Sequence, residues 1–218
     1  MGLPVNLVAS VTPNDIVHRT FKNGDFSLSE KVLQTWATAM DIQVPYNVER
    51  IMLIAAGLDT GRVAKLMTEF EKETKTMIPG DLLSKMQEVV VDTLMVEDEE
   101  MVTTMRRVFE ENDKTYCICP HTAVGVAYFY KNPTILPQVC KFISCLSMDN
   151  IYRIFQVILA TASPDKFPEA VQKAEIVNKK NPEIEKLFGM ETRSVPMQQG
   201  EDWEKMLRNK IAEITNKK

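Results

Sequence analysis

Four short segments of the chain carry the side chains that could do chemistry, at residues 12–19, 40–50, 120–125 and 159–167. Each brings hydroxyl, amide, imidazole or carboxylate groups to the end of a predicted strand or to the start of a predicted helix. Such groups either cap a helix or bind a ligand, because α/β proteins bind ligands beyond the carboxyl ends of their parallel strands. Residue types alone leave both alternatives open for each segment.

Five residues in these segments are the candidate site residues. Asn14 and Asp15 directly follow a predicted strand, where they can face a ligand or cap the next helix. His121 and Thr122 open a predicted helix, and a lone histidine in that place packs or caps more often than it catalyses. Thr161 ends an apolar run, so its hydroxyl can reach a heterocyclic nitrogen or cap the helix that follows.

The segment 40–50 is the most unusual of the four. It places Asp, Gln, Asn, Glu and Arg around Pro45 and leads into an apolar helix. A loop of this composition before a helix is typical of a segment that makes specific contacts. The alternative is a polar loop in which Glu49 and Arg50 form surface ion pairs.

The spacing of apolar residues predicts strands that alternate with helices. Strands are predicted over residues 5–11, 89–96 and 152–160. Residues 181–199 are polar and contain two prolines, which predicts a loop-rich stretch. Helices are predicted at 16–23, 46–56, 59–74, 79–87, 97–109, 121–130, 163–173 and 203–214. This order predicts one α/β domain over residues 1–218, with a largely parallel sheet flanked by helices.

Length and charge narrow the class of protein. The 218 residues are 44% hydrophobic, which suffices for one sizeable core or two small ones. The net charge of −4 and the lack of a basic stripe argue against a nucleic-acid partner. We find neither a membrane-spanning apolar run nor a signal peptide, so a soluble, cytoplasmic protein is expected.

The four cysteines predict no metal site. They lie at Cys117, Cys119, Cys140 and Cys145, too few for a disulfide scaffold in a chain of this length. With His121 nearby a metal site is conceivable, but the Cys-x-Cys spacing is not that of a zinc knuckle. Buried or idle thiols are the favoured interpretation.

In this order, the four segments resemble the second half of the threonine synthase family. The matching motifs are Asn-Asp-Ile at 14–16, Met-Asp-Ile-Gln-Val-Pro-x-Asn-x-Glu-Arg at 40–50, Pro-His-Thr-Ala-Val-Gly at 120–125 and Thr-Ala-x-Pro-x-Lys-Phe at 161–167. The resemblance extends from residue 3 to about residue 175 and is less specific beyond that point.

The resemblance implies part of a fold type II pyridoxal 5'-phosphate (PLP) enzyme, whose cofactor lies between two α/β domains. It implies that Thr161 faces the pyridine nitrogen and that Asn14, Asp15, His121 and Thr122 lie near the cleft. The implied activity is a phospho-lyase or threonine synthase that acts on O-phosphothreonine or O-phosphohomoserine. One departure from the family pattern is Cys119, where many relatives have Asp. Another departure is a Ser at position 163, where many have His.

The lysine that forms the Schiff base with PLP is not found in this sequence. The family carries it in a Ser-Phe-Lys-Asp type segment of the N-terminal half. Thr20–Asn23 imitates that segment, but it follows the Asn-Asp motif and runs into a turn, so Lys22 is not assigned the role. The glycines are scattered and form no phosphate cradle. We therefore expect no catalytic residue here and no PLP bound by this chain alone.

Two functions follow from the resemblance. In the first, the chain is the C-terminal portion of the PLP enzyme, inactive by itself, and the chain looks cut from a longer one. In the alternative, it is a truncated isoform made by alternative splicing that acts as a secreted cytokine-like factor, osteoclastogenic and inflammatory. That alternative requires a cell-surface receptor and export by an unconventional route.

Overall fold

The structure, a computed structural model, describes residues 5–132, 156–178, 181–192 and 194–216. The chain divides into two compact units, Met1–Lys179 and Lys180–Lys218, which we call the larger and the smaller unit and describe separately. The expectation of one domain over residues 1–218 stays a prediction.

The larger unit alternates strands and helices, as the apolar pattern predicts. Its strands are β1 (Leu7–Val11), β2 (Asp25–Ser27), β3 (Lys75–Met77) and β4 (Val90–Met95). Its helices are α1 (Ile16–Asn23), α2 (Val48–Ala55), α3 (Thr60–Glu73), α4 (Gly80–Val89), α5 (Asp98–Glu111), α6 (Pro120–Lys131) and α7 (Pro168–Lys173). Two 3₁₀ turns, Thr38–Met40 and Pro164–Lys166, lie in the connections.

The described strands form two pairs. β1 and β4 pair in parallel, with Val8 opposite Asp92 and Val11 opposite Met95. β2 and β3 form a short antiparallel pair of three residues each. Parallel pairing of strands joined through helices confirms the predicted α/β class, and it brings the carboxyl ends of β1 and β4 to the same edge.

Two apolar clusters fill the larger unit. The first centres on Phe26, whose ring lies 4.4 Å from that of Phe70 between centroids, and it includes the buried stripe of α3. The second centres on Met101 and Met105 of α5, which pack with α6 and α7. Both clusters follow from the 3.6-residue period of the apolar positions in these helices.

Local signals in the sequence set several helix ends. Asp59 caps α3, because its Oδ1 accepts from the amide of Arg62 at 3.0 Å. Gly24 ends α1 with a φ of 81°, a left-handed conformation that costs a glycine little. The acidic run Glu97–Glu100 lies at the start of α5, where the helix dipole favours negative charge. This confirms the helix predicted from Glu97.

Two predictions about residues 152–173 are corrected. Residues 156–160 form no strand, and the rest of the predicted strand, 152–155, lies outside the described residues. The helix predicted over 163–173 is broken into the 3₁₀ turn and α7. Pro168 is the reason, because it has no amide hydrogen and keeps Phe167 in an extended-like conformation with a φ of −130°.

The smaller unit contains α8 (Pro182–Phe188) and α9 (Trp203–Thr215). The expectation that 181–199 is loop-rich is wrong where α8 forms. Asn181 caps it by accepting from the amide of Glu183 at 2.9 Å, and a proline suits the first helical position. The predicted final helix is confirmed as α9, which Asp202 caps through the amide of Lys205. Among the described residues, no helix has the length and apolar character needed to cross a bilayer.

Candidate functional site

The site is built around the first turn of α6. Cys119 occupies the N-cap position, and its Sγ accepts from the amide of Thr122 at 3.4 Å. The hydroxyl of Thr122 turns back to the same sulfur at 3.1 Å. Pro120 supplies the first helical residue, where a missing amide hydrogen costs nothing. Cys119 and Thr122 are both buried, with 1% and 5% of their surface exposed.

Thr161 joins this turn from a segment 39 residues further along the chain. Its amide donates to Thr122 Oγ1 at 3.2 Å, and its own hydroxyl lies 3.5 Å from both Thr122 Oγ1 and Cys119 Sγ. Thr161 is an exposed residue, and its hydroxyl lies next to two buried polar groups. The structure thus brings together two of the five predicted site residues.

Gly125 explains how the segment before Thr161 can pass so close to α6. A Cβ atom at this position would lie 3.1 Å from the Cγ2 of Ile158, closer than nearly all real contacts of this kind. The glycine therefore leaves room for the side chain of Ile158 beside α6. This contact places Thr161 at the start of the helix.

His121 contacts two other parts of the chain. Its Nε2 accepts from the amide of Ala39 at 3.1 Å, and its ring lies 4.4 Å from that of Phe167 between centroids. Its Nδ1 is buried and has no hydrogen-bond partner of good geometry. Because Nε2 accepts a hydrogen bond, the neutral ring carries its proton on Nδ1. This buried donor has no conventional partner, yet the His121 side chain is close enough to Cys119 to help lower the pKa of that thiol.

The two described cysteines are free thiols whose pKa values are shifted in opposite directions. Burial alone would raise the pKa of Cys119, but hydrogen bonding by His121, Thr122 and Thr161 lowers it to about 6. Burial raises the pKa of Cys117 to about 11, with Asp165 and Cys119 adding to the effect. Both are buried as predicted, but the hydrogen bonds of Cys119 were not foreseen from the sequence.

Asn14 is held by the loop 28–47 that follows β2. Its side-chain amide donates to the carbonyl of Leu33, and its Oδ1 accepts from the Leu33 amide, both at 2.8 Å. Asp41 organises the same loop by accepting from the amide and the hydroxyl of Thr35, at 3.0 and 2.6 Å. Asn14 also lies 3.4 Å from Asp41 Oδ1. The polar residues of this loop thus bind the chain itself.

Asp15 has a separate environment. Its Oδ1 accepts from Arg19 Nε at 2.9 Å, and Arg19 also pairs with Asp25 and donates to the carbonyl of Ser27. Asn14 and His121 meet the same loop, 28–47, without contacting each other, while Asp15 serves this second network. That the five residues line one cleft stays a prediction.

Replacing Asp41 with Ala is expected to lower the free energy of unfolding by about 3 kcal/mol, because the loop 28–47 loses several hydrogen bonds to a carboxylate. Urea unfolding measures the loss, and limited proteolysis should show new cleavage within the loop. Lys31→Ala, an exposed position in the same loop, is the matched control. Equal stability and equal cleavage of the two variants would contradict the role of Asp41.

Lys22 lies in an ion pair at the surface. The Lys22 ammonium pairs with Asp92 Oδ1 at 3.0 Å, and the same carboxylate accepts from the hydroxyl of Tyr128. In the part of the chain that the structure describes, no group of three or more His, Cys, Asp or Glu side chains could hold a metal ion. Cys140 and Cys145 lie outside the described residues.

Sequence reasoning missed Cys119 as a member of the site. The available signal was its place before Pro120, because the residue before a proline at the first helical position is the N-cap. Its partner Thr161 is 42 residues away, and no local pattern predicts that contact.

Comparison with known proteins gives one consistent answer. The family model described as "Threonine synthase, C-terminal" matches residues 144–208. Threonine synthase-like 2 from Rattus norvegicus is 43% identical over 99% of this chain, and the human protein is 40% identical over 99%. In each case the match covers 41% of the relative, so the chain spans about two fifths of the length of these relatives.

Solved structures agree with the sequence matches. Yeast threonine synthase superposes with a TM-score of 0.77 and 26% identity, covering all of this chain and 44% of the yeast chain. Threonine synthase from Brucella melitensis, crystallised with PLP bound, gives a TM-score of 0.67 and 29% identity over 84% of this chain and 35% of its own. In sequence and in fold, this chain corresponds to the C-terminal part of the threonine synthase family.

Proposed function

We propose that the chain forms one wall of the cofactor cleft in a PLP-dependent phospho-lyase of the threonine synthase-like type. The substrate is a small phosphorylated amino acid, O-phosphothreonine or O-phosphohomoserine, and the chain does not catalyse the reaction alone. The observation that carries the proposal is the hydroxyl of the exposed residue Thr161, which lies 3.5 Å from the buried side chains of Cys119 and Thr122.

The residues present fit one edge of the cofactor. The amide of Thr161 donates to Thr122, which holds the residue in place, and its hydroxyl can donate to, or accept from, a heterocyclic nitrogen. His121, whose Nδ1 has no conventional partner, lies in the same turn of helix as Thr122. When bound, PLP supplies an electron sink for the carbon atoms of the amino acid. The amine and the phosphate cradle would come from another part of the protein, because Lys22 is engaged by Asp92.

In this proposal the residues of the chain bind and orient. Thr161 fixes the ring nitrogen, and Thr122 fixes Thr161 through the amide-to-hydroxyl hydrogen bond. His121 holds the loop 28–47 against the start of α6 through Ala39. Fixed groups of this kind accelerate a reaction by orientation, since they need no rearrangement when the substrate arrives.

The test compares two purified proteins. One is this chain alone. The other is a chimaera in which the N-terminal part of rat threonine synthase-like 2, the part outside the match, precedes this chain. We expect the chimaera with PLP to show the near-visible absorbance of lysine-bound PLP and to release phosphate from O-phosphothreonine or O-phosphohomoserine. A folded chimaera without that absorbance, or turnover by this chain alone, would overturn the proposal.

Within the chimaera, Thr161→Val is expected to weaken PLP binding about tenfold, the equivalent of one lost hydrogen bond. Thr161→Ser keeps a hydroxyl and should restore most of the affinity. The measurement is a titration of the apoprotein with PLP, followed by absorbance. If the Val and Ser variants bind PLP equally well, Thr161 does not contact the cofactor.

A further inference from the structure

The hydroxyl of Thr161 can point its hydrogen in only one direction at a time. The hydroxyl of its neighbour Thr122 already makes two interactions: Thr122 Oγ1 accepts from the Thr161 amide and lies 3.1 Å from Cys119 Sγ. The Thr161 hydroxyl lies 3.5 Å from the same sulfur and from Thr122 Oγ1. It can donate inward, to the sulfur or to Thr122, or it can accept from the thiol and donate outward into the cleft.

The charge on Cys119 decides between the two arrangements. A thiolate only accepts, so both hydroxyls donate to it, and Thr161 then presents its lone pairs outward. A neutral thiol can donate to Thr161, whose own hydrogen is then free to point outward. In the first state Thr161 suits a protonated ring nitrogen, and in the second it suits an unprotonated one.

The neighbouring side chain of His121 also favours the charged state of the sulfur. The ring of His121 carries its proton on a buried Nδ1 that lacks a partner of good geometry, and this side chain contributes to the low pKa of Cys119. Among the described residues, Cys117 interacts with Cys119 and has a raised pKa, to which Asp165 also contributes. The two thiols therefore separate into one that ionises readily and one that stays neutral.

We propose that Cys119 is a positioning residue that sets the direction of the hydrogen bond from Thr161 to the ring nitrogen of PLP, and so sets the protonation of that nitrogen. The inference rests on the proposed function, because it needs PLP at Thr161. Protonation of the ring strengthens its capacity as an electron sink, and a charge close to the ring nitrogen is a means by which proteins tune this cofactor.

The first arm of the test uses this chain without cofactor. The thiolate absorbance of the wild type minus that of Cys119→Ser, followed against pH, gives the pKa of Cys119. Thr161→Val should raise this pKa by about one unit, since a hydrogen bond to a charged group contributes about that much. Thr103→Val, at an exposed position of α5, is the matched control and should leave it unchanged. An equal pKa in the wild type and Thr161→Val would overturn the inference.

The second arm uses the chimaera loaded with PLP that carries nitrogen-15 in its ring. The nitrogen chemical shift reports ring protonation directly. Moving one proton from the thiol to the ring nitrogen leaves the total number of bound protons unchanged, so we expect the wild-type shift at neutral pH to lie between those of the two Cys119 variants. Cys119→Ser should hold the ring unprotonated, and Cys119→Asp should hold it protonated at neutral pH.

The outcomes separate this inference from the proposed function. A folded wild-type chimaera that binds no PLP overturns the proposed function and, with it, the role of Cys119 toward the cofactor. A chimaera that binds PLP, but whose ring nitrogen has the same shift in the wild type and in both Cys119 variants, overturns only the positioning role. Because Ser and Asp are close in size to Cys, a change in opposite directions cannot arise from loosened packing alone.

Discussion

Phe26→Ala is expected to lower the free energy of unfolding of the larger unit by about 3–5 kcal/mol. Phe26 is 1% exposed and packs against Phe70 with ring centroids 4.4 Å apart. Its removal takes away the buried apolar area and leaves a cavity that the short strands β2 and β3 cannot close. Urea unfolding followed by far-ultraviolet circular dichroism measures the difference.

The matched control is Ile54→Ala on α2. This side chain is 61% exposed, so its truncation should change the free energy of unfolding by less than about 0.5 kcal/mol. If Phe26→Ala costs no more than Ile54→Ala, Phe26 is not at the centre of an apolar core. A change in the slope of the transition would instead indicate an altered unfolded state, and the comparison then uses the midpoints of both variants.

Long elements with strong local signals were predictable from the sequence. The end of α1 follows from Gly24, and the start of α5 follows from its acidic first turn. Periodicity over several turns also predicted α3 and α9, because tertiary packing had little to add to a clear apolar stripe. The residues that determine these helices are close neighbours in the sequence.

Short or long-range features were not predictable in the same way. β2 and β3 have three residues each, too few to show the alternation that marks a strand, and their pairing joins segments about fifty residues apart. Residues 157–160 are apolar as a strand would be, yet they form no ladder, and Val157 and Leu159 are exposed while Ile158 lies against Gly125 of α6. An apolar run therefore does not by itself determine the partners of a segment, because these depend on the rest of the fold.

The candidate site shows the same difference between local features and contacts of distant residues. Thr122 and Thr161 were each predicted as site residues from the family resemblance, but their meeting depends on a contact across 39 residues. Cys119 was interpreted as an idle thiol, because nothing local distinguishes a buried thiol with three hydrogen-bonding neighbours from one with none. The loop 28–47 was recognised as unusual, whereas the particular bonds from Asp41 to Thr35 appear only in the folded chain.

The stability of the larger unit is expected to depend on pH through its two described thiols, in opposite senses. The folded pKa of Cys119, about 6, lies below the ordinary value of 9.0, so its contribution is full above pH 9.0 and is lost as the pH falls through 6. The folded pKa of Cys117, about 11, lies above 9.0, so its contribution is full below pH 9.0 and is lost as the pH rises through 11. Urea unfolding at a series of pH values measures both.

Single substitutions separate the two effects. Relative to Cys119→Ser, the wild type should gain stability between pH 6 and pH 9, because only the folded wild type holds a thiolate in hydrogen bonds over that range. Relative to Cys117→Ala, the wild type should lose stability between pH 9 and pH 11, because ionisation of the buried thiol then favours the unfolded chain. Parallel curves for the wild type and Cys119→Ser from pH 6 to pH 9 would show that the sulfur is neutral in the fold. That result would also remove the charged state that the direction of the Thr161 hydrogen bond requires.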